Sequence, residues 1–159
     1  MRFQLGEEFC GPACITAATR ALGNQVSQSK AAKLAGTTLE EGTDEDGIRR
    51  ALLASGFIPE HLGTSITRVA RNWLVVKLRL GYPVILCHGK QRWQHWVTAI
   101  GMLGSKFIVF DPARFEYRVN SGVQIISWQT LSRLWYANHK TRGKSPAYYG
   151  VAVLTKENG

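Results

Sequence analysis

The amino-acid sequence predicts an α+β fold, in which an N-terminal layer of helices packs on a C-terminal antiparallel sheet. Two patterns support this prediction. In the first half of the chain, apolar residues recur at intervals of three or four between residues typical of helix ends. In the second half, short apolar runs are separated by turn residues, as in strands. The 159 residues, of which 45% are hydrophobic, are expected to form a single domain, 1–159, around one substantial core.

Four helices are predicted in the first half: residues 10–22, a helix from the Ser27 cap to residue 34, residues 45–55 and residues 66–80. The first is rich in alanine, and a helix with small side chains on several sides can pack closely at the centre of a fold. Thr43 or Asp44 caps the third helix, at the end of an acidic loop. The apolar stripes expected to face the core are Ile48, Leu52 and Leu53 on the third helix and Val69, Trp73, Val76 and Leu80 on the fourth.

The second half predicts five strands and one short helix. Residues 96–102 and 106–110 are separated by Leu103-Gly104-Ser105, a connection that favours a hairpin. The remaining elements are strands at residues 83–87, 115–119 and 148–154 and a helix at residues 127–136, with Leu131, Leu134 and Trp135 facing inward.

Charge is distributed unevenly along the chain, whose net charge is +9. Residues 1–60 carry 6 Lys or Arg against 8 Asp or Glu, a net −2, whereas residues 61–159 carry 14 against 3, a net +11. A basic second half is compatible with an acidic partner. Because its basic side chains are scattered, a solvated surface is favoured, and nucleic acid is not expected as a partner.

Targeting signals and cysteine content narrow the class of protein further. No apolar run reaches the roughly 18 residues of a membrane span, and the N-terminus lacks the apolar core of a signal peptide, so a cytoplasmic location is expected. Three cysteines are too few for a disulfide framework, and none forms a Cys-x-x-Cys pair. Cys87, His88 and His95 lack a fourth ligand at suitable spacing, so no metal site and no cofactor are predicted.

Cys10 is the candidate nucleophile because it opens the first predicted helix. The unpaired N–H groups and the dipole at a helix N-terminus favour negative charge, which suits a thiolate. Gly11 is expected to leave space beside the sulfur for a substrate. A free cysteine is more commonly a small buried hydrophobic residue, so Cys10 by itself does not establish an active site.

His95 is the candidate base, because it precedes the strand-like run Trp96-Val97-Thr98-Ala99-Ile100 and a strand end holds a side chain in place. His88, which also follows a strand, is the second candidate. Asp111 ends the run before Pro112. Because the start of one hairpin strand and the end of its partner lie at the same end of a sheet, Asp111 is expected to orient His95. Gln4, six residues before Cys10, is a candidate donor to the oxyanion.

Together, Gln4, Cys10-Gly11-Pro12, His95-Trp96-Val97 and Phe110-Asp111-Pro112 resemble the C39 family of papain-like cysteine peptidases, which process bacteriocin leader peptides. The resemblance implies a papain-like fold with a central nucleophile helix packed on an antiparallel sheet. It also implies Cys10 as nucleophile, His95 as base, Asp111 as the residue that orients the histidine, and Gln4 as oxyanion donor.

The expected function is therefore that of a bacterial cysteine peptidase, a thiol hydrolase that cleaves leader-peptide, isopeptide or other peptide bonds through an acyl-enzyme. Its expected partner is a peptide or protein substrate. A deamidase or acyltransferase on the same triad, a non-catalytic peptide-binding module that keeps the fold, and a basic nucleic-acid-binding protein remain alternatives.

Overall fold

The structure is a computed structural model that describes residues 3–88, 95–113, 122–136 and 147–156. A 3-10 turn at Glu7–Phe9 leads into the first of the α-helices, which are α1 (Cys10–Ala21), α2 (Gln28–Ala35), α3 (Glu45–Ala54), α4 (Thr67–Arg79) and α5 (Trp128–Trp135). The strands are β1 (Ile58–Thr64), β2 (Val84–His88), β3 (His95–Leu103), β4 (Lys106–Phe110), β5 (Val123–Ile126) and β6 (Tyr148–Leu154). Within the described ranges, every helix is too short or too polar to serve as a membrane span.

All six strands belong to one antiparallel sheet with the order β1-β6-β2-β3-β4-β5. The predicted hairpin is β3 and β4, in which Leu103 pairs with Lys106 and Gly104 adopts a positive φ of 61°. A register shift between Ala99 and Gly101 marks a bulge on β3. The predicted α+β class and antiparallel sheet are confirmed.

The predicted caps set the starts of two helices. The Ser27 side chain accepts a hydrogen bond from Lys30 N at the start of α2, and Asp44, not Thr43, accepts one from Gly47 N at the start of α3. Side-chain capping satisfies N–H groups that have no partner within the helix. Gly36 ends α2 in the left-handed conformation, with a φ of 68°.

Two apolar cores lie on opposite faces of the sheet. Alternation along β2 shows the division, because Ile85 and Cys87 join the core with α1, α2 and α3, whereas Val84 and Leu86 join the core with α4 and α5. A strand covered on both faces is apolar at every position, which explains the continuous run at residues 83–87. The N-terminal helical layer is therefore α1 to α3, and α4 crosses to the other face.

Of the four residues of α4 predicted to face the core, Trp73 packs half-buried against it, and the prediction is wrong for the other three. Ala70, Leu74 and Leu78 are buried, whereas Val69, Val76 and Leu80 are 39%, 53% and 61% exposed. The helix carries apolar residues on two faces, and the sheet covers the face that begins with the small Ala70. Leu53 of α3 is likewise exposed, and Ala51 takes its place in the core.

Strands β1 and β5 were not predicted from the sequence. Pro59 and Gly63 interrupt the apolar pattern of β1, and proline is tolerated there because β1 lies at the edge of the sheet. Strand β5 is only four residues long and forms the other edge. In α5, Leu131 and Trp135 are buried as predicted, while Leu134 is only half-buried. The strand predicted at residues 115–119 lies outside the described residues, and the single domain 1–159 stays a prediction.

Two buried hydrogen bonds join β3 to the elements around the start of α1. Thr98 Oγ1 donates to the Cys14 carbonyl of α1 at 3.3 Å, and Trp96 Nε1 donates to the Thr43 carbonyl at 2.9 Å. Both side chains are fully buried. These bonds fix the beginning of β3 against the beginning of α1.

The corrected face of α3 predicts unequal effects for two neighbouring leucines. Leu52→Ala removes a fully buried side chain and is expected to lower the free energy of unfolding by about 2–5 kcal/mol. Leu53→Ala alters a side chain that is 61% exposed and is expected to change it by no more than about 0.5 kcal/mol. Urea unfolding of the two variants and of the parent measures the change in the free energy of unfolding for each substitution. Similar losses in the two variants would contradict this assignment of the buried face.

Candidate active site

Cys10 is the first residue of α1 and has a relative exposure of 6%. The residue before it, Phe9, provides no side-chain cap, so the dipole and the N–H groups of the first turn act on the thiol without competition from a capping side chain. Cys10 thus occupies the predicted position at the helix start, where it belongs to the core but keeps a small exposed fraction.

His95 is the first residue of β3 and contacts both of its predicted partners. Its Nε2 donates to Asp111 Oδ1 at 2.8 Å, since a carboxylate only accepts. The imidazole is also hydrogen-bonded to the side chain of Cys10. With Nε2 directed to Asp111, Nδ1 is the ring nitrogen left to meet the thiol.

Asp111 is held by the backbone on both sides. Its Oδ1 accepts a second hydrogen bond from Ala113 N at 3.0 Å, and its own N–H donates to the Gly122 carbonyl at 2.8 Å. The side chains of His95 and Asp111 are 23% and 13% exposed, so solvent screens their interaction only weakly. The carboxylate is therefore placed to orient the imidazole ring.

The pKa of His95 reflects competing effects of this site. Burial lowers the pKa, while the hydrogen bonds to Asp111 and to Cys10, together with their negative charge, raise it. The result is a pKa of about 9, against an ordinary value of 6.5. The imidazole therefore carries its second proton at neutral pH and can pair with a thiolate.

Gln4 lies beside the same region. Its backbone N–H donates to the carbonyl of Pro112, the residue after Asp111, at 3.0 Å. Its side-chain Nε2 donates to the Gly6 carbonyl at 2.8 Å. The structure thus brings Gln4 to the segment that carries Asp111, with its amide hydrogen-bonded to the turn that precedes Cys10.

The expectation that Gly11 leaves space for a substrate is wrong. A Cβ at Gly11 would lie 2.7 Å from both Cβ and Oγ1 of Thr43, so this space is filled by Thr43. Thr43 is held by a hydrogen bond of 2.7 Å between its hydroxyl and that of Thr37. Glycine here allows the segment before α3 to pack directly on the start of α1.

The other cysteines differ from Cys10 in their surroundings. Cys14 and Cys87 are both fully buried. Burial raises the pKa of the Cys14 thiol well above its ordinary value, although a hydrogen bond with Thr98 opposes the shift. Both thiols are therefore in positions typical of structural cysteines.

Of the remaining histidines, His61 is the one whose side chain belongs to the described part of the chain. The His88 backbone pairs with that of His95 across β2 and β3, and its side chain lies outside the description. His61, predicted in a loop, lies instead on β1, where Nδ1 contacts Arg49 at 3.3 Å and the ring stacks on Tyr149. His139 lies outside the described residues. No group of three or more His, Cys, Asp or Glu suited to a metal occurs among the residues described.

Comparison with solved structures shows the same fold in several peptidases. The peptidase domain of Streptococcus ComA, a bi-functional ABC transporter, has a TM-score of 0.70 at 21% identity, covering 98% of this chain and 97% of that chain. A C39-like peptidase from Bacillus anthracis has a TM-score of 0.65 at 12% identity, covering 96% and 93%. A double glycine motif protease from an AMS/PCAT transporter, in complex with the leader peptide, has a TM-score of 0.60 at 14% identity, covering 96% and 89%.

Sequence comparison assigns the family. A search of curated proteins finds no match. The model of the peptidase C39 family, however, matches residues 1–136, which is most of the chain. The predicted resemblance and the papain-like α+β fold are therefore confirmed, and the chain belongs to the peptidase C39 family.

Proposed function

We propose that this protein is a cysteine peptidase whose nucleophile is Cys10, with His95 as general base and acid, Asp111 as the residue that orients His95, and Gln4 as an oxyanion donor. The observation that supports this assignment is the single imidazole that is hydrogen-bonded to the Cys10 thiol on one side and to the Asp111 carboxylate on the other. A nucleophile, a base and an orienting group in one chain of contacts are what thiol catalysis requires.

The reaction begins with a thiolate–imidazolium pair. The proton of Cys10 resides on His95, and the sulfur attacks the carbonyl carbon of the scissile bond. The oxyanion that forms accepts hydrogen bonds from the Cys10 backbone N–H and from the Gln4 amide, which exchanges its bond to the Gly6 carbonyl for this one. Asp111 keeps the imidazole plane fixed throughout.

Collapse of the tetrahedral intermediate transfers the proton of His95 to the leaving amine and leaves an acyl group on the Cys10 sulfur. A water molecule then loses a proton to the same imidazole and attacks the thioester. Collapse of the second tetrahedral intermediate breaks the C–S bond, releases the carboxylic acid and restores the thiolate–imidazolium pair. Attack by an amine in place of water would make the enzyme an acyltransferase.

We infer that the substrate is a leader peptide with a double-glycine motif. Two of the similar structures are peptidase domains of transporters, and one of them holds a leader peptide. An acidic partner for the basic second half of this chain stays a prediction from its charge.

Selective alkylation tests the role of Cys10. We expect iodoacetamide at pH 6 to modify one thiol of the native protein rapidly, because Cys14 and Cys87 are fully buried and Cys10 is paired with a base. Peptide mapping by mass spectrometry identifies the thiol, and the unfolded protein should react at all three. The matched variants are Cys10→Ala, expected to lose both rapid labelling and peptidase activity, and Cys14→Ala, expected to retain both. Rapid labelling at another cysteine would contradict the assignment.

The pH profile tests the pair of His95 and Asp111. Below a pH of about 9 the imidazole is protonated and can donate to the leaving amine, so we expect kcat/KM to fall as the pH rises through about 9. Asp111→Asn removes the carboxylate that raises the pKa of His95, so the fall should move to lower pH, with a loss of activity on the order of 10²-fold. An unchanged alkaline limit in Asp111→Asn would mean that another group titrates.

Cleavage of defined peptides tests the substrate. We expect a synthetic peptide with a double-glycine motif to be cut after the second glycine, and the same peptide with two leucines at those positions to be cut at least 10-fold more slowly, roughly the discrimination of a restrictive pocket. Mass spectrometry distinguishes hydrolysis from deamidation of glutamine and from transfer to an added amine. Equal cleavage of the two peptides would contradict the leader-peptide proposal and leave the peptidase assignment standing.

A further inference from the structure

We infer that Gln28 is a positioning residue that holds Gln4 in place for oxyanion binding, an inference that rests on the proposed function of Gln4. Gln28 is the first residue of α2 and is a polar side chain with only 6% of its surface exposed. Its amide oxygen accepts a hydrogen bond from Leu5 N at 3.0 Å, and its amide nitrogen donates to the Phe3 carbonyl at 2.9 Å. The oxygen and the nitrogen of one amide group therefore bond to the backbone of the two residues that flank Gln4.

This pair of bonds imitates a neighbouring β-strand. In an antiparallel ladder, the carbonyl of the preceding residue and the N–H of the following residue bond to the strand on one side of a given residue. The N–H and the carbonyl of that residue itself point to the strand on the other side. Gln4 follows that pattern, because its N–H points away from Gln28 and donates to the Pro112 carbonyl at 3.0 Å. Residue 4 is thus held between α2 and the segment that carries Asp111.

The bonds to Gln28 act on the backbone of this segment from one side, opposite the bond of Gln4 N–H to the Pro112 carbonyl. Leu5 is 62% exposed, so burial of its side chain contributes little to the position of the segment. An amide group is suited to the task, because it offers a neutral donor and a neutral acceptor on one planar group.

The start of α2 is itself fixed to the nucleophile helix. The Thr19 hydroxyl donates to the Ile15 carbonyl within α1 at 2.8 Å and accepts from Val26 N, just before α2, at 3.0 Å. Thr19 is fully buried, and the Ser27 cap begins α2 at the next position. The hydrogen bonds of Thr19 and of Gln28, connected by the backbone from Val26 to Gln28, therefore link α1 to the residues on either side of Gln4. The nucleophile and the proposed oxyanion donor thus share one support.

A double-mutant cycle on an ester probe tests the inference. p-Nitrophenyl acetate forms the same type of tetrahedral oxyanion on Cys10 whatever the natural substrate, and the rate of Cys10→Ala is subtracted as background. We expect Gln28→Met, which keeps the size of the side chain, to lower kcat about 10-fold or more with KM nearly unchanged, because misplacement of a catalytic group costs up to about 10²-fold. In the Gln4→Ala background, the same substitution should lower kcat less than about twofold, since the group that it positions is gone.

Two further variants separate positioning from loss of structure. Gln28→Glu keeps the acceptor for Leu5 N and loses the donor to the Phe3 carbonyl, so its kcat should lie between those of the parent and Gln28→Met. Lys33→Met, an exposed position on the same helix, should leave kcat unchanged. Thermal unfolding establishes that each variant is folded, and if Gln28→Met is not, the cycle is performed with Gln28→Glu.

The possible failures are distinguishable. An equal loss of kcat in the presence and absence of Gln4, or an unchanged kcat in both Gln28 variants, would overturn the positioning role while Cys10-dependent hydrolysis remained. An unchanged kcat in Gln4→Ala would also overturn it, because Gln4 would then have no catalytic role to support. Hydrolysis by Cys10→Ala at the parent rate would instead overturn the proposed function, and the inference with it.

Discussion

The packing of β3 against the beginning of α1 is the constraint on which the rest of the molecule depends. Thr98 binds the Cys14 carbonyl and Trp96 binds the Thr43 carbonyl, both in fully buried surroundings. Each such bond contributes about 1 kcal/mol net, but loss of one partner leaves a buried polar group at a cost of about 1–3 kcal/mol. Since His95 directly precedes Trp96 and Cys10 lies one turn before Cys14, these anchors bring imidazole and thiol together.

Small residues permit this close approach. Thr43 occupies the space where a side chain at Gly11 would lie, and the Ala35 carbonyl approaches within 2.6 Å of the position that a Cβ of Gly47 would take. At Gly47 backbone therefore packs against backbone, and at Gly11 the Thr43 side chain packs against the backbone of α1. The opposite face of the sheet is filled differently, with larger rings in contact with one another, namely those of Phe107, Trp128, Trp135 and Tyr148. This second layer supports the sheet on the face opposite the site.

Two thiols on one helix illustrate how position determines chemistry. Cys14 lies one turn inside α1, where burial raises the pKa of its thiol and keeps it neutral. Cys10 lies at the helix start and meets an imidazole that remains protonated up to a pH of about 9. That pKa is high although burial opposes it, because the bonds of His95 to Asp111 and Cys10 outweigh the cost of desolvation. The site thus depends on three groups whose interactions support one another.

The sequence by itself determined the features that local interactions control. The Ser27 cap set the start of α2, and the choice between Thr43 and Asp44 set the start of α3 to within one residue. The turn at Gly104 set the hairpin, and the hairpin placed His95 and Asp111 at the same end of the sheet. Only the tertiary structure decided which apolar face of α4 is buried, that β1 joins the sheet edge in spite of Pro59, and that Gln28 holds the segment around Gln4. The physical reason is range: propensity, capping and turn geometry act between neighbours along the chain, whereas the choice among packing partners depends on surfaces that exist only after the chain has folded.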